Sequence, residues 1–284
     1  MKPIVFAVII LAVAVAAIIL ASRSGSDSKP SNRPLFGYYG CFGNQVAEVA
    51  DHTNLHWEAF WDGLQKGIDN IRTAAKFTVI DVGSQLFEGA APKTFRPDAE
   101  ARLRSLFNDL QNAGVLHLVK MIVPMDEPNL PENRACADLP EAVGAIRALA
   151  LSYPELSGVL LGCIYYNGAP KCHTDLFDVV GFDDYEPGAN ILSPNGAYEK
   201  FRETLRPGQR TMLIPGGGYG PSKWEPKQQD PVPFVSYAMS NPEVLMIVPF
   251  LWRYPAHGGD MVGIVDLPVK DAYIAAGKSI LEAA

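Results

Sequence analysis

The sequence predicts one α/β domain, a (β/α)₈ TIM barrel, and three observations carry that prediction. Apolar runs of strand length alternate with amphipathic helical stretches eight times between Leu35 and Ile280, the pattern of a parallel sheet joined by helical crossovers. Several of the runs stop at carboxylates or aromatic residues, as they do where strands deliver side chains to the open face of a barrel. With the N-terminal segment set aside, the 284-residue chain leaves about 250 residues, the usual size of one such domain.

Ahead of the barrel, Ile4 to Ala21 is an unbroken apolar run of 18 residues behind Lys2 and Pro3. It exceeds the roughly 7–15-residue core of a signal peptide, and no clean Ala-x-Ala cleavage site follows it. Residues 1–22 therefore read as a membrane anchor or signal segment, with anchoring favoured by length. The Ser, Gly and Pro of residues 23–33 form a flexible linker, and the barrel occupies 34–284. It is expected outside the cytoplasm, tethered to a membrane or secreted.

The elements follow in order. Leu35 and Phe36 begin a first strand that opens into a loop rich in glycine and aromatic residues, where backbone must approach something closely. Residues 54–61 form the second strand and 77–82 the third. Pro97 opens a helix with Leu103, Leu106, Phe107, Leu110 and Ala113 on one face, and Gly114 ends it. The fourth strand, through Met121 and Val123, stops at Pro124. Asp138 and Glu141 have the spacing of a capping box for a helix with Val143, Ile146 and Ala150 inward. Residues 158–166 and 177–186 are the fifth and sixth strands, and the few residues between them are too short for a full crossover helix. Tyr198, Phe201 and Leu205 lie on the next helix, 210–214 is the seventh strand, and a glycine-rich loop follows at 216–220. Residues 234–240 are helical, 245–254 form the eighth strand, and Ala272, Tyr273, Ala276 and Ile280 lie on a closing helix.

The strongest chemical signal lies after the fourth strand, where Asp126-Glu127-Pro128 puts two carboxylates at the point where Pro124 and Pro128 end the ladder. The competing reading is a helix start with Asp126 as N-cap and Pro128 in its first turn. Asp183 and Asp184 end the sixth strand in the same manner. Tyr38, Tyr39, Trp57, Glu58, Trp61, Asp81, Tyr185, Tyr219, Trp252 and Arg253 stand at other strand ends. Aromatic faces cover the apolar side of a pyranose while carboxylates take its hydroxyls, so this mixture favours a carbohydrate ligand. Asp126, Glu127, Asp183 and Asp184 are the catalytic candidates, and the aromatic residues with Glu58, Asp81 and Arg253 are candidates for binding.

Other chemistries find little support. The net charge is −7, or −8 once Lys2 departs with the anchor, and no basic cluster invites nucleic acid. The five histidines lack paired metal-ligand spacing, the 216–220 loop lacks the Lys-Ser/Thr of a phosphate loop, and no serine sits on a nucleophile elbow. No cofactor is expected. Among the cysteines, Cys136 and Cys172 lie in loops after neighbouring strands and form the expected disulfide, while Cys41 and Cys163 suit buried thiols equally well.

Asp126-Glu127-Pro128 after a fourth strand resembles the (β/α)₈ glycoside hydrolases, in which a fourth-strand Glu before Pro is often the acid/base. That resemblance implies Glu127 as general acid. In the Asn-Glu-Pro group of those enzymes the nucleophile is a Glu on strand seven, where this chain has Ile214-Pro-Gly-Gly. Adjacent Asp and Glu look more like the substrate-assisted N-acetylhexosaminidases, which implies Asp126 orienting an acetamido group. Gly37-Tyr-Tyr39 and Trp252 are similar to chitinase-type barrels, whose multi-aspartate motif is absent. The expected activity is glycosidic hydrolysis with Asp126, Asp183 or Asp184 as second carboxylate, and the alternative is a barrel that binds envelope polysaccharide without cleaving it.

Overall fold

The structure is a computed structural model and describes residues 33–89, 92–130, 133, 135–167, 171–185, 188–217, 228–253 and 262–283. The segment read as an anchor, and all of the linker but Arg33, lie outside the described residues. Among the described residues no helix is long and apolar enough to cross a membrane.

Eight parallel strands form the expected barrel: β1 (Leu35–Phe36), β2 (Leu55–Glu58), β3 (Phe77–Asp81), β4 (Val119–Val123), β5 (Leu160–Tyr166), β6 (Val179–Asp183), β7 (Arg210–Ile214) and β8 (Val244–Ile247). Each pairs with its sequence neighbour from β2 to β8, and β8 pairs with β1 through Leu35 opposite Met246 and Phe36 opposite Ile247. The seam between β1 and β2 is closed by Asn54. Its side chain accepts from the Phe36 amide at 2.7 Å, and its own amide donates to the Phe36 carbonyl at 3.0 Å. Gly37 makes the close approach possible, since a Cβ there would lie 2.4 Å from the Leu55 carbonyl oxygen.

Strand side chains alternate between two faces, and the core divides accordingly. Leu55, Trp57, Val79, Met121, Ile164, Val179, Met212 and Met246 fill the barrel interior. Phe36, Ile80, Ile122, Cys163, Val180 and Leu213 face outward into the layer beneath the helices. Gly162 and Gly181 are required inside, because a Cβ on either would come within 2.9 Å of Met121, Met212 or Ile164 side-chain atoms. The methionines thereby fill a space that branched side chains on β5 and β6 would overpack.

The helix Ala99–Asn112 buries Leu103, Leu106, Phe107 and Leu110 and stops before Gly114 in the left-handed conformation at φ 72°, as its sequence predicts. The helix Leu139–Ala150 also forms, but not with a capping box. Asp138 turns instead to accept from the Phe95 amide at 2.9 Å, tying to this helix a small hairpin, Phe87–Glu88 with Thr94–Phe95, that the alternating pattern did not reveal. The eighth strand is shorter than expected, since Pro249 has no amide to continue the ladder. The chain nevertheless stays alongside, with Phe250 bridged to Tyr39 and Gly216.

Between β5 and β6 the described residues of the connection form the 3₁₀ turn Thr174–Leu176 and no α-helix, matching its shortness. Cys172, in that connection, is bonded to Cys136, in the loop after β4, and Cys41 and Cys163 are buried free thiols. The bridge restrains a stretch with little secondary structure of its own. It closes a loop of 36 residues, for which chain entropy gives a stabilisation of about 4 kcal/mol. Replacing both Cys136 and Cys172 by serine should therefore lower unfolding free energy by about 2–4 kcal/mol in urea titration. An unchanged midpoint would show that the bridge restrains nothing in the unfolded chain.

Candidate active site

Strand alternation sorts the carboxylates before any chemistry is considered. On β3, Asp81 shares the inward parity of Phe77 and Val79, and on β6, Asp183 shares that of Val179 and Gly181. Glu58 has the outward parity of His56. Its carboxylate, 1% exposed, accepts from the Phe60 amide at 2.7 Å and from Asn70 Nδ2 at 3.0 Å, with His56 Nε2 at 3.3 Å. Glu58 thus braces the turn that carries Trp61 and does not reach the barrel mouth.

The turn after β4 cannot be sorted by parity because Pro124 interrupts the strand. No helix starts at Asp126, so the N-cap reading is not realised. Asp126 instead extends the sheet by a single bridge to Ile164. Glu127 takes the left-handed conformation at φ 44°, which costs a non-glycine residue of order 1 kcal/mol. Its amide donates to the Ile164 carbonyl at 3.1 Å. Asn133 Nδ2 donates to the Asp126 and Glu127 carbonyls at 2.9 and 3.0 Å. Asn129 completes the clamp, giving its amide hydrogen to the Tyr166 carbonyl at 2.7 Å and accepting from the Tyr166 amide at 3.1 Å. The two carboxylates are therefore fixed to the end of β5.

These strand ends enclose a cavity of about 360 Å³, within the usual range of about 300–1,000 Å³ for small-ligand sites. Six residues singled out in the sequence line it: Tyr39, Trp61, Asp126, Glu127, Asp183 and Tyr185. Ile164, Ile214 and Phe250 complete the wall. Phe250 was legible as the inward continuation of Met246 and Val248, but not as a site residue. The Tyr39 hydroxyl donates to Asp126 Oδ2 at 2.9 Å, and the Tyr185 hydroxyl to Asp183 Oδ2 at 3.0 Å. Rings surround these pairs, with centroids 5.8 Å apart for Tyr39 and Trp61, 5.6 Å for Tyr39 and Phe250, and 6.4 Å for the stacked Tyr185 and Phe250.

The remaining candidates lie elsewhere. Tyr38 faces outward and packs on Trp252 at 4.9 Å between ring centroids. Trp252 is itself buried, with its indole donating to Glu48 Oε2 at 3.2 Å, and Arg253 lies 3.4 Å from the same oxygen. Trp57 is wholly buried beneath Tyr39, 4.8 Å away. Asp81 accepts from the Gly83 amide at 2.8 Å behind the cavity wall, and Asp184 accepts from Asn167 Nδ2 at 2.7 Å. Tyr219 lies outside the described residues. Asn129, Asn133 and Gln229 were not singled out. Gln229, almost wholly buried, donates to the Asp184 carbonyl at 3.1 Å and accepts from the Gly216 amide at 2.6 Å, joining the loops after β6 and β7. Their only sequence signal is a position in loops beside strand ends.

Burial, with the crowding of acids added to it, governs the electrostatics. Burial, with the Asp126 charge beside it, pushes the Asp81 carboxyl up to about 7. Burial raises Asp126 to about 6 against the lowering effect of the Tyr39 hydroxyl. Asp183 is pushed well above the usual carboxylate range, first by burial and then by the charges of Glu127 and Asp126. Burial and neighbouring anions also hold the Tyr39 and Tyr185 hydroxyls protonated, so both remain donors. Two carboxyls in such a setting cannot both ionise freely, and a proton near neutral pH belongs to the group as a whole. Among the described residues no cluster of His, Cys, Asp or Glu is arranged to hold a metal ion.

No protein-family model and no curated protein sequence matches the chain. Solved structures do. The GH113 β-mannanase AaManA from Alicyclobacillus acidocaldarius is 14% identical, with a TM-score of 0.50 over 88% of this chain and 97% of its own. An uncultured Clostridium sp. β-glucuronidase is 13% identical with a TM-score of 0.51, covering 89% and 52%. The GH2 β-galacturonidase from Eisenbergiella tayi, bound to galacturonate, is 10% identical with a TM-score of 0.54, covering 82% and 47%. At these identities the likeness is one of fold, that of (β/α)₈ barrels built like glycoside hydrolases.

Asp81 provides a test of the acid crowding. Its folded pKa lies above the unfolded value, so the folded state binds more protons between about pH 4 and 7, and stability falls as pH rises through that window. Asp81→Asn retains the acceptor for Gly83 without the charge. Its melting temperature should exceed that of the wild type at pH 8 and match it at pH 4. A variant destabilised equally at both pH values would contradict the assignment.

Proposed function

We propose that the chain hydrolyses glycosidic bonds in a poly- or oligosaccharide, with Glu127 as general acid/base and Asp183 as its partner carboxylate. The observation that carries this reading is the convergence of Glu127 and Asp183 in one cavity walled by aromatic rings. A glycosidic oxygen must be protonated as it departs, while a second carboxylate serves the opposite side of the sugar as base or nucleophile. The pair supplies both roles if it holds a single proton, and the electrostatics of Asp183 favour that state. The proton that the two carboxyls share passes to the leaving oxygen through Glu127, and Asp183, left ionised by that transfer, stabilises positive charge developing at the anomeric carbon. Asp126, held by Tyr39, is left to bind a substituent next to the bond.

The barrel neighbours support this class of chemistry and differ in their sugars, being named for mannan and for uronates. An acidic lining with no described Arg or Lys disfavours a uronate, whose carboxylate would meet only like charge. The disulfide fits an oxidising compartment, and with residues 1–22 as an anchor the barrel would act on saccharide outside the cytoplasm. Ile214, in place of a strand-seven carboxylate, keeps the second reading alive, a barrel that binds polysaccharide without cutting it.

Glu127→Gln should leave oligosaccharide binding within a few fold by calorimetry. Release of reducing ends should fall by about 10²–10⁴, the range that general acid catalysis contributes. The loss should be smaller for an activated aryl glycoside, which leaves with little protonation. Near-wild-type turnover of a natural saccharide by this variant would falsify the assignment of Glu127. A wild-type protein that binds saccharides of this panel and cleaves none would favour the binding module.

A further inference from the structure

We propose that Tyr166 is a second sugar platform, which with Trp61 makes the cavity the middle of a longer saccharide site and selects internal segments of a polysaccharide over its chain ends. The inference deepens the glycosidase reading and takes from it only that the ligand is a saccharide. It starts from where aromatic rings remain in water. Among the described residues, Trp61 and Tyr166 are the aromatic side chains left exposed, at 49% and 38%. A single exposed ring is ordinary on a protein surface. Two that flank one acidic cavity call for a ligand that covers both.

Strand alternation and pairing place the two rings. On β5, Tyr166 has the inward parity of Leu160 and Ile164, and its register partner on β6 is Asp183. Ile164 and Asp183 line the cavity and Tyr166 does not, so Tyr166 stands one step beyond the wall toward the mouth. Asn129 donates to its carbonyl at 2.7 Å and accepts from its amide at 3.1 Å, and the following amide, of Asn167, donates to the Asp183 carbonyl at 3.1 Å. The backbone beneath an exposed ring is thereby pinned from both sides, as a platform requires. Trp61 packs on Tyr39 at 5.8 Å and on Phe42 at 5.2 Å between centroids, at the β1 side of the mouth. β1 and β5 lie four strands apart around the barrel, which separates them by roughly 15 Å for tilted strands about 4.8 Å from one another. A disaccharide does not reach so far. Asp126, Glu127 and Asp183 line the cavity between. With the apolar face of one pyranose on each ring, the bond that meets the acids has sugars on both sides.

The test is calorimetric titration of the full chain carrying Glu127→Gln with manno-, cello- and chito-oligosaccharides from disaccharide to hexasaccharide. In at least one series affinity should rise about tenfold or more between the disaccharide and the tetrasaccharide, the scale of an added aromatic contact. Trp61→Ala and Tyr166→Ala should each remove most of that gain, while Tyr166→Phe, which keeps the ring and loses the hydroxyl, should retain it. Thermal melting checks that the variants are folded, and Tyr166→Leu, apolar but without a ring, replaces the alanine variant if that one is not. Affinity that stops rising at the disaccharide overturns the proposal, as does binding of none of the series. An undiminished gain in either ring-less variant overturns it too, as does a loss in Tyr166→Phe equal to that in Tyr166→Ala. Length-dependent binding that needs both rings, in a wild-type chain that releases no reducing ends, would uphold the inference while rejecting hydrolysis. Hydrolysis without length dependence would do the reverse, so the two readings fail separately.

Discussion

The gathering of four carboxyl groups at one end of a barrel, where burial and like charge both disfavour ionisation, is the constraint around which this structure is arranged. Asp81, Asp126, Glu127 and Asp183 arrive from β3, the turn after β4, and β6; burial disfavours ionisation of the three aspartates, and neighbouring carboxylates add to it at Asp81 and Asp183. A chain free to relax would separate them. They stay together because strand alternation aims Asp81 and Asp183 inward, and because several contacts fix the β4 turn that carries the other two. Tyr39 and Tyr185 lessen the cost by donating to the acids, and burial keeps both hydroxyls protonated for that task.

The β4 turn shows how the repulsion is resisted. Asn133 holds the backbone carbonyls of both acidic residues, Asn129 clamps the turn to Tyr166, and Glu127 accepts a left-handed backbone in return for its bond to Ile164. The Cys136–Cys172 bridge joins the loops on either side of the same region, where the described residues of the connection to β6 form no α-helix. Rigid placement of this kind suits catalysis, since a pair of acids acts on a glycosidic bond only when both are held at the right separation. It also explains why a short, helix-poor connection carries the chain's disulfide.

The barrel was legible in the sequence because its strands read as apolar runs and its helices as periodic faces, signals that depend only on which surfaces are buried. The disulfide was legible from the loop settings of its cysteines. The site was legible in its carboxylates and aromatics but not in their sorting. Tyr38 and Tyr39, or Trp57 and Glu58, are neighbours in sequence and both members look available, yet alternation sends them to opposite faces of the sheet. Applied strictly from Leu35 and Leu55, the same rule separates them. It fails after Pro124, where the ladder is interrupted, which is why the roles of Asn129 and Asn133 emerge only from the three-dimensional arrangement. The hairpin at 87–95 and the diversion of Asp138 to it were hidden for a similar reason, since a long-range bond outcompeted the local cap.

The shared proton of Glu127 and Asp183 is the claim on which the chemistry rests, and carboxyl ¹³C NMR titration of isotopically labelled protein tests it most directly. Asp183 should remain protonated well above the ordinary carboxylate range and should shift downward in Glu127→Gln, where burial still acts but the neighbouring charge is gone. Titration of Asp183 near the ordinary aspartate value in both proteins would contradict the account.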